Sequence, residues 1–337
     1  MEQYSPPFNI TNGILSYVSS ISEKIGEINF YHNLENKPHL RRNNKIKSVH
    51  ASLKIEANSL SMGQVRDVIN GKSVLGNRIE IQEVKNAYEA YDHIKEINPL
   101  DIQELMKFHE TMTKYIVDES GTFRQGEEGV FNGDECIFMA PPARLVPGLM
   151  KDLFEWMKRE YGEIHPLIMA AVFHYEFVFI HPFVDDNGRM ARLWHTAILM
   201  NWKPIFEYIP LESQIEKFQN EYYKSISDSH IAGESTPFIE FILEQIDHIV
   251  DELVVQVKGD NEGLSEIDEM QDEIDGMQSK IDGMKEQLND KDIVIYEKDS
   301  EINNMKTELS DKDSEINKKD NEIALLRKQL EELKSKG

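Results

Sequence analysis

His181-Pro182-Phe183-Val184-Asp185-Asp186-Asn187-Gly188-Arg189-Met190-Ala191-Arg192 sets an imidazole base, a carboxylate suited to a metal, a glycine turn and two arginines in one short stretch. The apolar run Phe177 to Ile180 leads into it, and a helix-compatible stretch, Arg189 to Trp202, follows. Asn187 and Gly188 therefore stand where a loop opens into a helix, and the first backbone N–H groups of a helix have no partner within it. Such a terminus attracts anions. Arg192 lies three residues beyond Arg189, so both guanidinium groups leave roughly one helix face. Two arginines so placed can clamp an extended polyphosphate.

Outward from this stretch the pattern is helical. Pro147 to Tyr161, Pro166 to Phe179 and Phe238 to Val257 carry apolar residues at helical spacing. Residues 1–100 read as mostly helical, with Ile10, Ile14, Val18 and Ile21 in one stripe and Pro6-Pro7 barring a helix at the start. Asn70-Gly71-Lys72 and Leu75-Gly76-Asn77 read as turns. Asp101 is a candidate N-cap for a helix bearing Ile102, Leu105, Met106 and His109. The exception is Gly121 to Pro142, where Ile137-Phe138-Met139 faces Gly129-Val130-Phe131 across Asn132-Gly133, a hairpin signal. The expected fold is an all-α domain with one small β-hairpin.

Beyond residue 260 the sequence changes character. Ile267, Ile274, Ile281, Leu288, Ile295, Ile302, Leu309, Ile316, Ile323 and Leu330 recur at a seven-residue step, the seam of a coiled coil. Met270, Met277, Met284, Met305, Leu326 and Leu333 fill the companion position, while Lys291, Lys298, Lys312 and Lys319 interrupt it with charges costly to bury. A rod of about 70 residues would extend on the order of 100 Å at the helical rise. The expected organisation is an N-terminal helical region over 1–100, a core over 101–250 and a long C-terminal coiled-coil helix over 260–337.

Composition narrows the class. The chain has 337 residues, 40% of them hydrophobic, enough to bury a sizeable core. Its single cysteine, Cys136, excludes an internal disulfide. Neither an N-terminal apolar signal nor a run of membrane-spanning length is present, so a cytoplasmic location without membrane association is expected. The formal charge is −24, of which residues 260–337 carry −11, so the acidity is spread along the chain. The one short basic run, Arg41-Arg42-Asn43-Asn44-Lys45-Ile46-Lys47, lacks interleaved aromatics, and no nucleic-acid surface is expected.

The twelve residues from His181 to Arg192 resemble the motif H-P-F-x-D/E-G-N-G/K-R-x-x-R of the Fic family of nucleotide-transferring enzymes, with Asp186 in place of glycine. The resemblance implies a Fic-type helical domain. It implies His181 as general base toward a Ser, Thr or Tyr hydroxyl of a target protein, with ATP as the donor of AMP. It implies Asp185 as ligand of a divalent cation, Mg²⁺ or Mn²⁺, bridging the phosphates. Asn187 and the backbone around Gly188 would contact the α- and β-phosphates, and Arg189 and Arg192 would neutralise charge along the chain. Asp186 could share the cation or remain in solvent. The hairpin bearing Ile137, Phe138 and Met139 would serve as the family's flap, holding the target segment by strand addition.

Ser52-Leu53-Lys54-Ile55-Glu56-Ala57-Asn58 is similar to the inhibitory motif S/T-x-x-x-E-G/N of the same family, with Ala57 departing from its last position. It implies that Glu56 pairs with Arg192 and withholds it from the γ-phosphate. The leading expectation is an autoinhibited protein adenylyltransferase whose coiled coil oligomerises it or delivers it to a partner. The alternatives are removal of AMP, transfer of another nucleotide or a phosphocholine group, or a weakly active coiled-coil scaffold.

Overall fold

Two antiparallel helices joined by a short loop carry the motif, and their sequences explain why they lie at the centre. The stretch PLIMAAVFHYEFVFI is apolar on every side, so it forms a helix buried all round, α7 (Pro166–Ile180). Pro166 starts it, where the missing N–H costs nothing. Its neighbour α8 (Asn187–Trp202) buries Met190, Leu193, Trp194, Ala197 and Leu199 and runs back along it. Residues 181–186, between them, form the loop of interest.

The computed structural model describes residues 3–31, 38–132 and 135–261, with isolated positions at 281, 298 and 319. The chain divides into two compact units, Met1–Asp272 and Glu273–Gly337. The fold described belongs to the first, and the coiled-coil reading beyond residue 261 lies outside the described residues.

Within the first unit the remaining helices wrap the central pair. α1 (Asn12–Tyr31) buries Ile14, Ile21, Ile25 and Ile28 against α11 (Thr236–Asn261). Ile10, expected in the same stripe, precedes the helix and is 56% exposed. α2 (Pro38–Ile55) buries Ile46, Val49 and Leu53 and packs on α4 (Arg78–Asp92) and α9 (Leu211–Lys217). α3 (Met62–Ile69) begins with a capping box between Ser61 and Gln64. α5 (Ile102–Thr113) is capped as expected by Asp101, whose carboxylate accepts from Gln103 N at 2.9 Å. α6 (Val146–Glu160) supports α7, and α10 (Gln219–Ala232) ends at Gly233, which takes the left-handed conformation.

Strands β1 (Gly129–Asn132) and β2 (Glu135–Met139) pair antiparallel, with Gly129 opposite Met139 and Val130 opposite Phe138. The register shifts between Val130 and Phe131, so Phe131 faces Cys136. Among the described residues no helix is long and apolar enough to cross a membrane.

Candidate functional site

His181 ends α7. Its N–H donates to Phe177 O at 2.9 Å, and its backbone turns left-handed at φ 51. The cause is local, because Pro182 disfavours a right-handed helical conformation in the residue before it. The side chain lies within electrostatic reach of Arg124, Glu128 and Glu56. Nδ1 faces the Val178 carbonyl at 3.4 Å, which makes it the protonated nitrogen and leaves Nε2 as an acceptor. Burial holds this imidazole below its ordinary pKa; Arg124 adds to that, against the raising influence of the Val178 carbonyl, Glu128 and Glu56. A neutral imidazole at physiological pH is the form a base requires.

The loop is anchored from beneath. Phe183 is fully buried and stacks on His109, their ring centroids 3.6 Å apart. His109 Nδ1 accepts from Gly121 N at 3.0 Å, so Nε2 carries the proton and donates to Asp185 O at 3.2 Å. Burial lowers the His109 pKa to about 4, keeping it neutral in that role. The Asn187 amide closes the loop on itself, accepting from Phe183 N at 2.9 Å and donating to Phe183 O at 2.8 Å. The Asn187 side chain is thus engaged with the loop.

The sequence left the place of Asp186 open between the cation and solvent. Asp186 is buried rather than in solvent, left-handed at φ 67, with its carboxylate against the Arg189 guanidinium. The tight start of α8 turns the side chain inward, where burial lifts its pKa to about 7 although Arg189 pulls the other way. Asp185, by contrast, is exposed, and its Oδ1 accepts from Asp186 N at 2.7 Å. Among the described residues no group of three or more His, Cys, Asp or Glu side chains could hold a metal ion. One outward carboxylate fits a cation whose other ligands are phosphate oxygens and water.

The two arginines meet different carboxylates. Arg192 is 1% exposed; its Nε donates to Ser52 Oγ at 3.1 Å and its Nη2 to Ser52 O at 3.0 Å and Glu56 Oε1 at 2.8 Å. Burial opposes the charge, but Glu56 together with Tyr222 and Tyr91 outweighs it and the guanidinium is held firmly protonated. Arg189 lies between Asp186 and Glu83 of α4, with both Nη atoms 3.2 Å from Glu83 Oε1. Glu83 Oε2 in turn accepts from Asn58 Nδ2 at 2.7 Å.

Glu56 reaches Arg192 because of how α2 stops. Ala57 N donates to Lys54 O and Asn58 N to Leu53 O, the paired bonds of a Schellman turn with Ala57 left-handed at φ 66. Gln219 Nε2 of α10 satisfies the Ile55 carbonyl at 3.1 Å. The turn lays the Glu56 carboxylate on Gly188 so closely that a Cβ there would collide with it. An anion therefore already sits at the N-terminus of α8.

The structure brings His181, Asp185, Gly188, Arg192, Ser52 and Glu56 around one end of the α7–α8 pair. Arg124, His109, Glu83 and Asn58 join them and were not singled out as site residues by sequence. His109 left a trace there, on the expected face of α5, and Asn58 closes the quoted inhibitory stretch. His174, in the middle of α7, is buried and bonded to Tyr222 OH at 2.9 Å.

The fold is shared with known proteins. The Fic/DOC family model matches residues 99–199. A Fic family protein from Desulfovibrio desulfuricans G20 has a crystal structure that superposes with a TM-score of 0.70 at 44% identity, covering 75% of this chain and 77% of that one. The chain belongs to the Fic/DOC family. Fic-1 from C. elegans, residues 134–508, shares the fold with a TM-score of 0.59 at 22% identity, covering 73% of this chain and 74% of that one. Among curated relatives, protein adenylyltransferase Fic of Drosophila yakuba is 27% identical over 215 residues, which is 60% of this chain and 40% of that protein. That of Nematostella vectensis is 28% identical over 217 residues, 60% and 47% respectively. The chain matches less than half the length of these relatives.

Proposed function

We propose that this Fic protein is a protein adenylyltransferase restrained by its own Glu56. The observation that carries the reading is the carboxylate of Glu56 seated on Gly188 and Arg192, an anion lodged where a nucleotide phosphate would lie. In the proposed reaction a target hydroxyl oxygen attacks the α-phosphorus of ATP. The bond from that phosphorus to the bridging oxygen breaks, and pyrophosphate leaves with the electron pair. His181 Nε2 takes the hydroxyl proton, and the backbone N–H groups at the start of α8 with Arg192 meet the phosphate charge. Asp185 would help hold Mg²⁺ or Mn²⁺, which when bound neutralises charge on the phosphates.

The β1–β2 pair would act as the flap. Its Ile137-Phe138-Met139 edge would receive an extended segment of the target by strand addition, setting its hydroxyl near His181. The heptad tail would oligomerise the protein or deliver it to its partner.

The test is label transfer to protein. With Mg²⁺, label in the α-position of ATP should be retained on protein by Glu56→Gly more strongly than by the unsubstituted chain, and label in the γ-position should not. His181→Ala should abolish transfer. Retention of γ-label would make the chemistry phosphorylation and overturn the reading.

A further inference from the structure

We propose that Arg124 is a positioning residue that fixes the base of the hairpin, and with it a target segment paired along the hairpin, against His181. This rests on the transferase reading above. Arg124 is 2% exposed and lies just before β1. Its Nε donates to His181 O at 2.6 Å, its Nη1 to Gly126 O at 2.8 Å, and its Nη2 to Pro141 O at 2.5 Å and Ile180 O at 3.4 Å. Its backbone N–H donates to Pro182 O at 2.9 Å.

These acceptors come from three places: Gly126 before β1, Pro141 after β2, and residues 180–182 at the end of α7. One rigid fork therefore ties both feet of the hairpin to the residue that bears the base. Among the described residues every side-chain hydrogen-bond acceptor of Arg124 is a backbone carbonyl. A buried guanidinium bonded only to neutral acceptors is an expensive cross-link. A charged fork has two uses here that a neutral donor lacks. It spans acceptors too dispersed for an amide, and it stands beside His181, where its charge favours the neutral imidazole. It also captures the carbonyl of a left-handed residue, so the direction of the His181 side chain depends on it.

The experiment places Arg124→Lys in the Glu56→Gly background. Lysine keeps the charge but loses the fork, and a misplacement of about 1 Å costs about 100-fold in rate. The expected result is a kcat for transfer to protein about 100-fold lower, with the dissociation constant for Mg²⁺-ATP, measured by calorimetry, unchanged within about threefold. Equal loss of ATP binding and transfer, or undiminished transfer, overturns the proposal. NMR supplies readouts that do not need transfer. In Arg124→Gln, which removes the charge, the His181 imidazole should titrate at higher pH; coincident titration with the unsubstituted chain overturns the proposal. In the unsubstituted chain the Arg124 Nε–H should exchange slowly with water, and rapid exchange overturns it whether or not any variant folds. If Glu56→Gly itself transfers nothing, the transferase reading fails, and the two NMR readouts still decide the geometry.

Discussion

Replacing Ala57 by glycine tests the turn that delivers Glu56 to Arg192. Ala57 occupies the left-handed position of a Schellman turn at φ 66, where a Cβ costs about 1–2 kcal/mol. Glycine removes that cost but loses about 0.4–1 kcal/mol through greater freedom in the unfolded chain. The expected net gain is about 0.5–1 kcal/mol. It should appear as a higher urea midpoint with an unchanged m-value. If release of Glu56 from Gly188 unwinds the left-handed turn, glycine favours the restrained conformation over the opened one by about 1 kcal/mol. Basal self-labelling with α-labelled ATP should then fall about fivefold, since 1.4 kcal/mol is a factor of ten. A lower midpoint, or labelling that rises, would refute the reasoning, because either would mean that the turn does not gate the arginine.

Three further perturbations follow from the same contacts. Gly188→Ala places a Cβ against the Glu56 carboxylate, the end of a flexible side chain that can move away, and should expel Glu56 from Arg192, seen as faster amide exchange over residues 53–60. Asp186→Gly removes a buried carboxylate from beside Arg189 and relieves a left-handed residue, so calorimetry should show Mg²⁺-ATP binding about tenfold tighter; weaker binding would assign Asp186 to the nucleotide site itself. His109, neutral in the fold with a pKa of about 4, makes the domain acid-sensitive. The folded state binds that proton less readily than the unfolded chain, so its contribution is complete above about pH 6.5 and is lost as the pH falls from 6.5 toward 4, by up to about 3 kcal/mol. Urea midpoints measured across this range should fall less steeply for His109→Gln, and parallel curves would count against the assignment.

What the sequence discloses is what lies close along the chain. The Asp101 cap, the apolar-rich α7 and the loop-to-helix step at Asn187 are local patterns, and the structure places each where the pattern does. The approach of Glu56 to Arg192 was legible only through resemblance to an inhibitory motif, since 136 residues separate the pair. Contacts with no such motif stayed hidden. Glu83 reads as one more polar residue of an amphipathic helix, and nothing nearby announces that Arg189 lies against it. Arg124 stands in a glycine-rich loop without periodicity, and its partners are backbone carbonyls, which have no sequence signature at all. The place of Asp186 stayed open for a related reason: local chemistry favours solvent for a carboxylate, and only the packing of α8 against its neighbours reverses that. Asn187 was recognised as important, but its amide serves the loop.

The central claim, that a self-restrained site transfers AMP to protein, is tested most directly by intact-protein mass spectrometry after incubation with ATP and Mg²⁺. Proteins from a cell lysate, and the enzyme itself, should gain the mass of AMP with Glu56→Gly, less with the unsubstituted chain and none with Glu56→Gly combined with His181→Ala. If Glu56→Gly binds ATP yet no protein gains that mass, or if adding His181→Ala leaves the modification intact, the claim is contradicted.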